Sequence, residues 1–189
     1  MSSANRALVA IGGNLPFDDR PPVETLRSAL AELDRAGLTP IRISSIYATP
    51  CFPAGAGPDY VNAAAEIVTG DRSPEQVLAE LHRVEALFGR HRSSRWAGRT
   101  LDLDLIAFGE QILPDANELR RWIDLPSAEQ AQRAPDRLIL PHPRMQDRAF
   151  VLVPLADVVP DWRHPLTGLT VAAMLTALPE LDRAAIVRL

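Results

Sequence analysis

Arg90-His-Arg-Ser-Ser-Arg-Trp-Ala-Gly-Arg-Thr-Leu-Asp-Leu-Asp-Leu105, running on through Ile-Ala-Phe108, is the stretch from which the fold can be read. Its second half alternates. In an extended strand every other side chain shares a face, so Asp102 and Asp104 point one way. Leu101, Leu103 and Leu105 point the other way, into a core. Two neighbouring carboxylates repel unless a cation lies between them or one stays protonated. Arg90, Arg92, Arg95 and Arg99 stand just ahead of them, and guanidinium groups suit phosphate oxygens. A lone Asp-x-Asp is a weak signal, and most charge runs are solvated faces. Here the flanking leucines and the Trp96 set among the arginines favour a Mg²⁺–nucleotide site, with the arginine loop as a closing lid.

Working outward, Thr100–Phe108 is the last strand of an alternating series. Residues 6–11 form a buried strand ended by Gly12-Gly13-Asn14. Pro21-Pro22 opens a helix over about 22–36, with Leu26, Leu30 and Leu33 on one face. Residues 41–48 alternate as a half-buried strand, and 60–68 form another. Ser73-Pro74-Glu75-Gln76 reads as a capping box that starts a helix ended by Gly89. The order β-α-β-β-α-β predicts an α+β, ferredoxin-like fold, with a mostly antiparallel sheet and both helices on one face. Residues 114–136, charged, Ala-rich and punctuated by Pro114, Pro126 and Pro135, read as an insertion, expected to hold either a short helix around Glu118–Trp122 or a mobile loop. Arg148–Leu155 is expected to be a strand and Val171–Leu178 a closing helix, which together make a C-terminal extension. Residues 1–189 are expected to form a single domain.

The totals narrow the function. The 189 residues carry a net charge of −4, and all 20 basic residues are arginine. This balance disfavours a general nucleic-acid binder. The single cysteine, Cys51, excludes an internal disulfide and fits a reducing compartment. The apolar run before Gly12 is too short for a signal sequence or a membrane span, so a cytoplasmic protein is expected.

Other segments carry weaker signals. His142 lies between Pro141 and Pro143, with Arg144 and Arg148 close behind, a set compatible with phosphate contact; a lone His is most often structural. Thr49-Pro-Cys-Phe-Pro53 and Asp59-Tyr-Val-Asn62 bring an aromatic ring and an amide to one strand face, suited to a flat polar heterocycle. An ordinary surface loop fits those residues equally well. There is no P-loop, no nucleophile elbow and no zinc spacing.

Taken together, Ala10-Ile-Gly-Gly-Asn-Leu15, Ser44–Pro50, Pro58–Ala63, Arg95–Asp104 and Leu140–Phe150 resemble 6-hydroxymethyl-7,8-dihydropterin pyrophosphokinase, a folate-pathway family. The resemblance covers about residues 7–160. It implies transfer of the β,γ-diphosphate of ATP to the pterin hydroxymethyl group with release of AMP. It further implies that Asp102 and Asp104 hold two Mg²⁺ ions, and that Arg90, Arg99, Asp102 and Asp104 serve catalysis. Glu85, Arg90, Arg92, Trp96, Arg99, Arg137, Leu138, His142 and Arg148 would meet ATP. Thr49, Pro50, Phe52, Tyr60, Asn62, Trp96 and Phe150 would form the pterin pocket. The chain departs from the family in having Ala97-Gly98 before Arg99, Pro143 after the histidine, and a longer 114–136 segment. A monomer binding only these small molecules is expected. The alternatives are another Mg²⁺–ATP transferase with a different flat acceptor, or an RNA-binding ferredoxin-like module, against which stand the 5% aromatic content and the acidic balance.

Overall fold

The computed structural model describes residues 5–51, 57–90, 98–126, 129 and 133–189. Among these, six strands form one sheet: β1 (Asn5–Gly13), β2 (Thr39–Ile43), β3 (Tyr47–Thr49), β4 (Tyr60–Gly70), β5 (Asp102–Phe108) and β6 (Val187–Arg188). The order runs β5-β1-β4, then β2 and β3 end to end along the far side of β4, with β6 outside β3. Every pairing is antiparallel. The core is therefore the expected ferredoxin-like arrangement. The strand expected over 41–48 is broken in two: Ser44 bonds Ala64 through its backbone N–H (2.9 Å) and its hydroxyl (2.9 Å), bridging the gap.

Helices α1 (Pro22–Arg35) and α2 (Pro74–Leu87) lie on one face of the sheet, as expected. Their buried rows, Leu26, Ala29 and Leu33 and then Val77, Leu81 and Val84, recur at helical spacing. They meet Ala7, Val9 and Ile11 of β1, Ala63, Ala65 and Ile67 of β4, and Leu103 and Leu105 of β5. The Ser73–Gln76 capping box forms, with Ser73 Oγ accepting from the Gln76 N–H and Gln76 Oε1 from the Ser73 N–H.

The opposite face corrects one expectation. Arg148–Leu155 is not a strand: Ala149–Val158 is a helix, here α4. Its buried residues Val151, Leu152, Leu155 and Val158 repeat at helical spacing and pack on Leu8, Ala64, Ile106 and Ala107. Burial against the sheet overrides the β-branched composition, and Pro154 is incompatible with a central strand. Helix α5 (Val171–Ala177) closes this layer where a helix was expected, with Val171 and Met174 buried. A short helix, α6 (Glu180–Ala184), leads into β6.

In the 114–136 segment, helix α3 (Ala116–Ile123) forms, the helical one of the two alternatives; Asp115 accepts from the backbone N–H of Asn117 and Glu118, both at 2.9 Å. Leu113 and Leu140 exchange both backbone hydrogen bonds, at 2.9 and 3.0 Å, so the two ends of this segment are clamped together.

Candidate active site

The acid pair sits where alternation places it. Leu101, Leu103 and Leu105 are buried in the helix-covered layer, while Asp102 and Asp104 are half-buried on the other face. Register aligns Asn62 of β4, Gly12 of β1 and Asp102 of β5 in one row. The next row holds Ala64, Ala10 and Asp104. Strands lie about 4.8 Å apart, so only a glycine and an alanine floor the roughly 10 Å between the amide and the acids. A Cβ on Gly12 would stand 2.7 Å from Asn62 Oδ1, so glycine is what lets the amide lie across β1. Asn62 Nδ2 donates to Thr49 Oγ1 at 2.8 Å, which fixes its orientation.

A β-bulge then changes the phase of β5. Val9 pairs Leu105 and Leu8 pairs Ala107, so Ile106 is the extra residue. Its carbonyl accepts the His142 N–H at 2.7 Å, hanging the His142 loop beside Asp104. His142 Nδ1 accepts from the Arg144 N–H at 3.1 Å, which leaves Nε2 to carry the ring proton. Burial, with Arg148 and Arg144 acting in the same direction and Asp102 opposing, lowers His142 from 6.5 to about 3. At neutral pH the ring is an uncharged Nε2–H donor.

Arginines surround the acids. Arg90 and Arg99 both ion-pair with Asp102, and Arg90 also pairs with the buried Glu85. Glu85 Oε1 accepts the Leu103 N–H at 2.8 Å, so one carboxylate joins α2, β5 and Arg90. Burial works against the Arg99 charge, but Asp102, Asp104 and Tyr60 overcome it and raise its pKa. Burial lowers Arg148, helped by Arg144 and Arg99 and opposed by Asp104 and Asp102. Burial raises Tyr60. Arg148 sits at the N-terminal end of α4, its guanidinium 5.6 Å from the Phe150 ring centroid.

Both feet of the arginine loop are pinned. Thr100 Oγ1 donates to Phe88 O at 2.6 Å, and the Arg99 N–H donates to Asn14 Oδ1 at 2.8 Å. Asn14 Nδ2 donates in turn to Pro58 O at 3.1 Å, tying this foot to the Thr49–Asp59 loop. Asn14 is buried, and no role of its own is expected from the sequence, where Gly-Gly-Asn ends a strand and belongs to a segment that carries the family resemblance. A Cβ on Gly13 would stand 2.7 Å from Thr100 O, so glycine makes this close crossing possible.

A cavity of about 500 Å³ opens from the acid pair along the free edge of β5. Asp104, Arg137, Leu138, His142 and Arg148 line it, so four of the expected nucleotide residues gather there with one of the acids. Arg144 joins them with its Nε buried and without a hydrogen bond. Trp122, Arg133, Leu78 and His82 also line it, and none of these was marked beforehand. On the acceptor side Thr49, Tyr60 and Asn62 come together; Pro50 is exposed, and Phe150 is held by Arg148. The expectations for Phe52, Arg92 and Trp96 fall outside the described residues.

The donor set suits Mg²⁺. Asp102 and Asp104 offer hard oxygens on one face, with Arg90 and Arg99 paired to Asp102 in this structure. Among the described residues no third His, Cys, Asp or Glu joins them. The remaining positions around an ion would fall to water and phosphate oxygens, the usual arrangement for this metal. Among the same residues no helix is long and apolar enough to cross a membrane.

Comparison with known proteins agrees with this geometry. The family model for 7,8-dihydro-6-hydroxymethylpterin-pyrophosphokinase matches residues 8–160. A 2-amino-4-hydroxy-6-hydroxymethyldihydropteridine pyrophosphokinase from Synechocystis is 39% identical over 170 residues, covering 89% of this chain and 74% of the relative. That of Pseudomonas aeruginosa is 37% identical over 175 residues, covering 92% of each. The solved wild-type HPPK-DHPS of Plasmodium falciparum superposes with a TM-score of 0.63 at 14% identity, a likeness of fold. The alignment covers 92% of this chain and 43% of that one, so the present chain spans less than half of it.

Proposed function

Because the chain belongs to the 6-hydroxymethyl-7,8-dihydropterin pyrophosphokinase family, we propose that it transfers the terminal diphosphate of ATP to the hydroxymethyl group of that pterin, releasing AMP, in folate biosynthesis. The observation that carries the assignment in this chain is the row Asn62–Gly12–Asp102. It sets an amide, a flat floor and an acid pair in line, with a cavity beyond the acids.

The pterin lies on Gly12 and Ala10, between Asn62 and the acids. Asn62 Oδ1, fixed by the Thr49 bond, accepts from the ring edge, while Tyr60, Pro50, Phe52 and Phe150 border it. This holds the hydroxymethyl oxygen at Asp102 and Asp104. The nucleotide enters along the β5 edge, past Arg137 and Leu138. Arg90, Arg99 and Arg148 bind its phosphates, His142 donates an uncharged hydrogen bond from Nε2, and Arg92 and Trp96 belong to the loop that closes over it. Glu85 orients Arg90 from beneath. Asp102 and Asp104 would hold Mg²⁺, two ions being expected, which neutralises charge on the transferred diphosphate. The hydroxyl oxygen then attacks the β-phosphorus in line and gives up its proton to water, the bond to the α-phosphate oxygen breaks, and AMP leaves. No side chain is assigned as a dedicated base. Charge stabilisation and alignment supply the rate, and lid opening governs product release. We place residues 1–189 in one domain working as a cytoplasmic monomer.

Phosphorus NMR of the protein with Mg²⁺, ATP and the pterin tests this reading. AMP with a pterin diphosphate is the expected result. ADP would mean simple phosphoryl transfer and overturn it.

A further inference from the structure

We infer that helix α3 supplies a wall of the nucleotide site, with Trp122 as the ring against which the purine base stacks. The inference rests on the pyrophosphokinase reading above and deepens it.

The cavity along β5 has two chemically different parts. Asp104, Arg144, Arg148 and His142 make a charged and hydrogen-bonding lining suited to phosphates. Elsewhere Leu78, His82, Trp122, Leu138 and Ile139 offer flat and apolar surface suited to a heterocycle, with Arg133, Asp136 and Arg137 also lining the cavity. With the acceptor on Gly12 and the acids at the β5 end of the row, the polyphosphate runs away from β1, toward the free edge of β5. The base at its far end therefore meets the residues that line that edge.

Trp122 is prepared for this contact. Nε1 is the only hydrogen-bonding atom of an indole, and it donates to Glu118 Oε1 on its own helix at 3.0 Å. The side chain also lines the cavity, so the indole borders the space that a ligand would enter. The Arg133 guanidinium lies 5.9 Å from the ring centroid and steadies it further. The helix beneath is fixed by fully buried Leu119 and by the Asp115 cap. The ring is thus held before any ligand arrives, so stacking costs little ordering.

The test is equilibrium binding, by calorimetry in Mg²⁺, of two ligands to the full-length wild type and its variants. One is the α,β-methylene analogue of ATP, blocked at the bond that breaks; the other is inorganic tripolyphosphate, which lacks the base. Loss of one stacking partner costs roughly tenfold in affinity. Trp122→Ala should lose about tenfold for the nucleotide while holding tripolyphosphate within twofold, and Trp122→Phe should recover most of the loss. Should Trp122→Ala fail to fold, Trp122→Leu against Trp122→Phe makes the same comparison with bulk retained. An unchanged nucleotide affinity, or an equal loss for both ligands, would overturn the inference. If the wild type still forms AMP and pterin diphosphate, that failure belongs to Trp122 alone. A wild type that binds neither ligand would overturn both readings.

Discussion

The two faces of β5 make opposite use of one alternation. On one, Leu103 and Leu105 pack into the core beneath the helices. On the other, Asp102 and Asp104 are half-buried among arginines, and chemistry is the role proposed for them. The helix-covered layer runs the length of the sheet. The second layer stops short, because α4 begins at Ala149, beside the acids, and packs away from them over Ile106 and Ala107. What stays uncovered is floored by Gly12 and Ala10. The proposed active site is thus the part of the sheet that the second layer leaves open, and neighbouring residues of one strand should respond to mutation in opposite ways.

The sharpest test of that contrast is Asp104→Asn. It should lower kcat about a thousandfold, since charge stabilisation dominates phosphoryl chemistry, while the melting temperature holds or rises as repulsion within the pair is relieved. An AMP-release assay beside a thermal melt reads both, and normal turnover would dissolve the distinction. Its mirror is Leu103→Ala, one residue away. That change should cost about 2–5 kcal/mol of stability in urea unfolding and leave kcat within severalfold at a temperature where the variant stays folded.

A third test uses pH. His142 sits at about 3 in the fold against an ordinary 6.5, so the unfolded chain takes up the proton first. Stability is full above pH 6.5, falls as pH drops, and levels off near pH 3. The slope is at most about 1.4 kcal/mol per pH unit for one proton. His142→Gln should flatten that decline in melts taken across the range; an unaltered profile would remove the histidine from the polar face. The smallest effect belongs to the edge of the site. Asp115→Ala should cost about 1 kcal/mol and raise the KM for ATP by less than the Trp122 variants do, with the KM for the pterin unmoved.

The sequence was most legible where local rules sufficed. The Asp–Leu alternation, the Ser73 cap and the Pro22 helix start follow from period and backbone chemistry, and the structure repeats them. Helix α4 was misread because its valines favour a strand locally, and only its burial against Leu8 and Ala64 makes it a helix. Pro154 was the signal available against that reading. Asn14 carried no local mark, since its three partners lie at Arg99 and Pro58, far along the chain. The bulge at Ile106 and the place of Trp122 on the cavity wall depend in the same way on contacts between distant segments.

The Leu113–Leu140 clamp carries a consequence for how such a chain can vary. By closing the two ends on each other, it isolates everything between them from the strand that bears the acids and from the histidine that follows. Residues can be added or removed there without shifting the reacting groups, because the geometry of the chemistry is set outside the clamp. The segment behaves as an exchangeable fitting on a fixed frame. Swapping it between relatives becomes a way to retune the grip on the phosphate donor while the reaction stays the same.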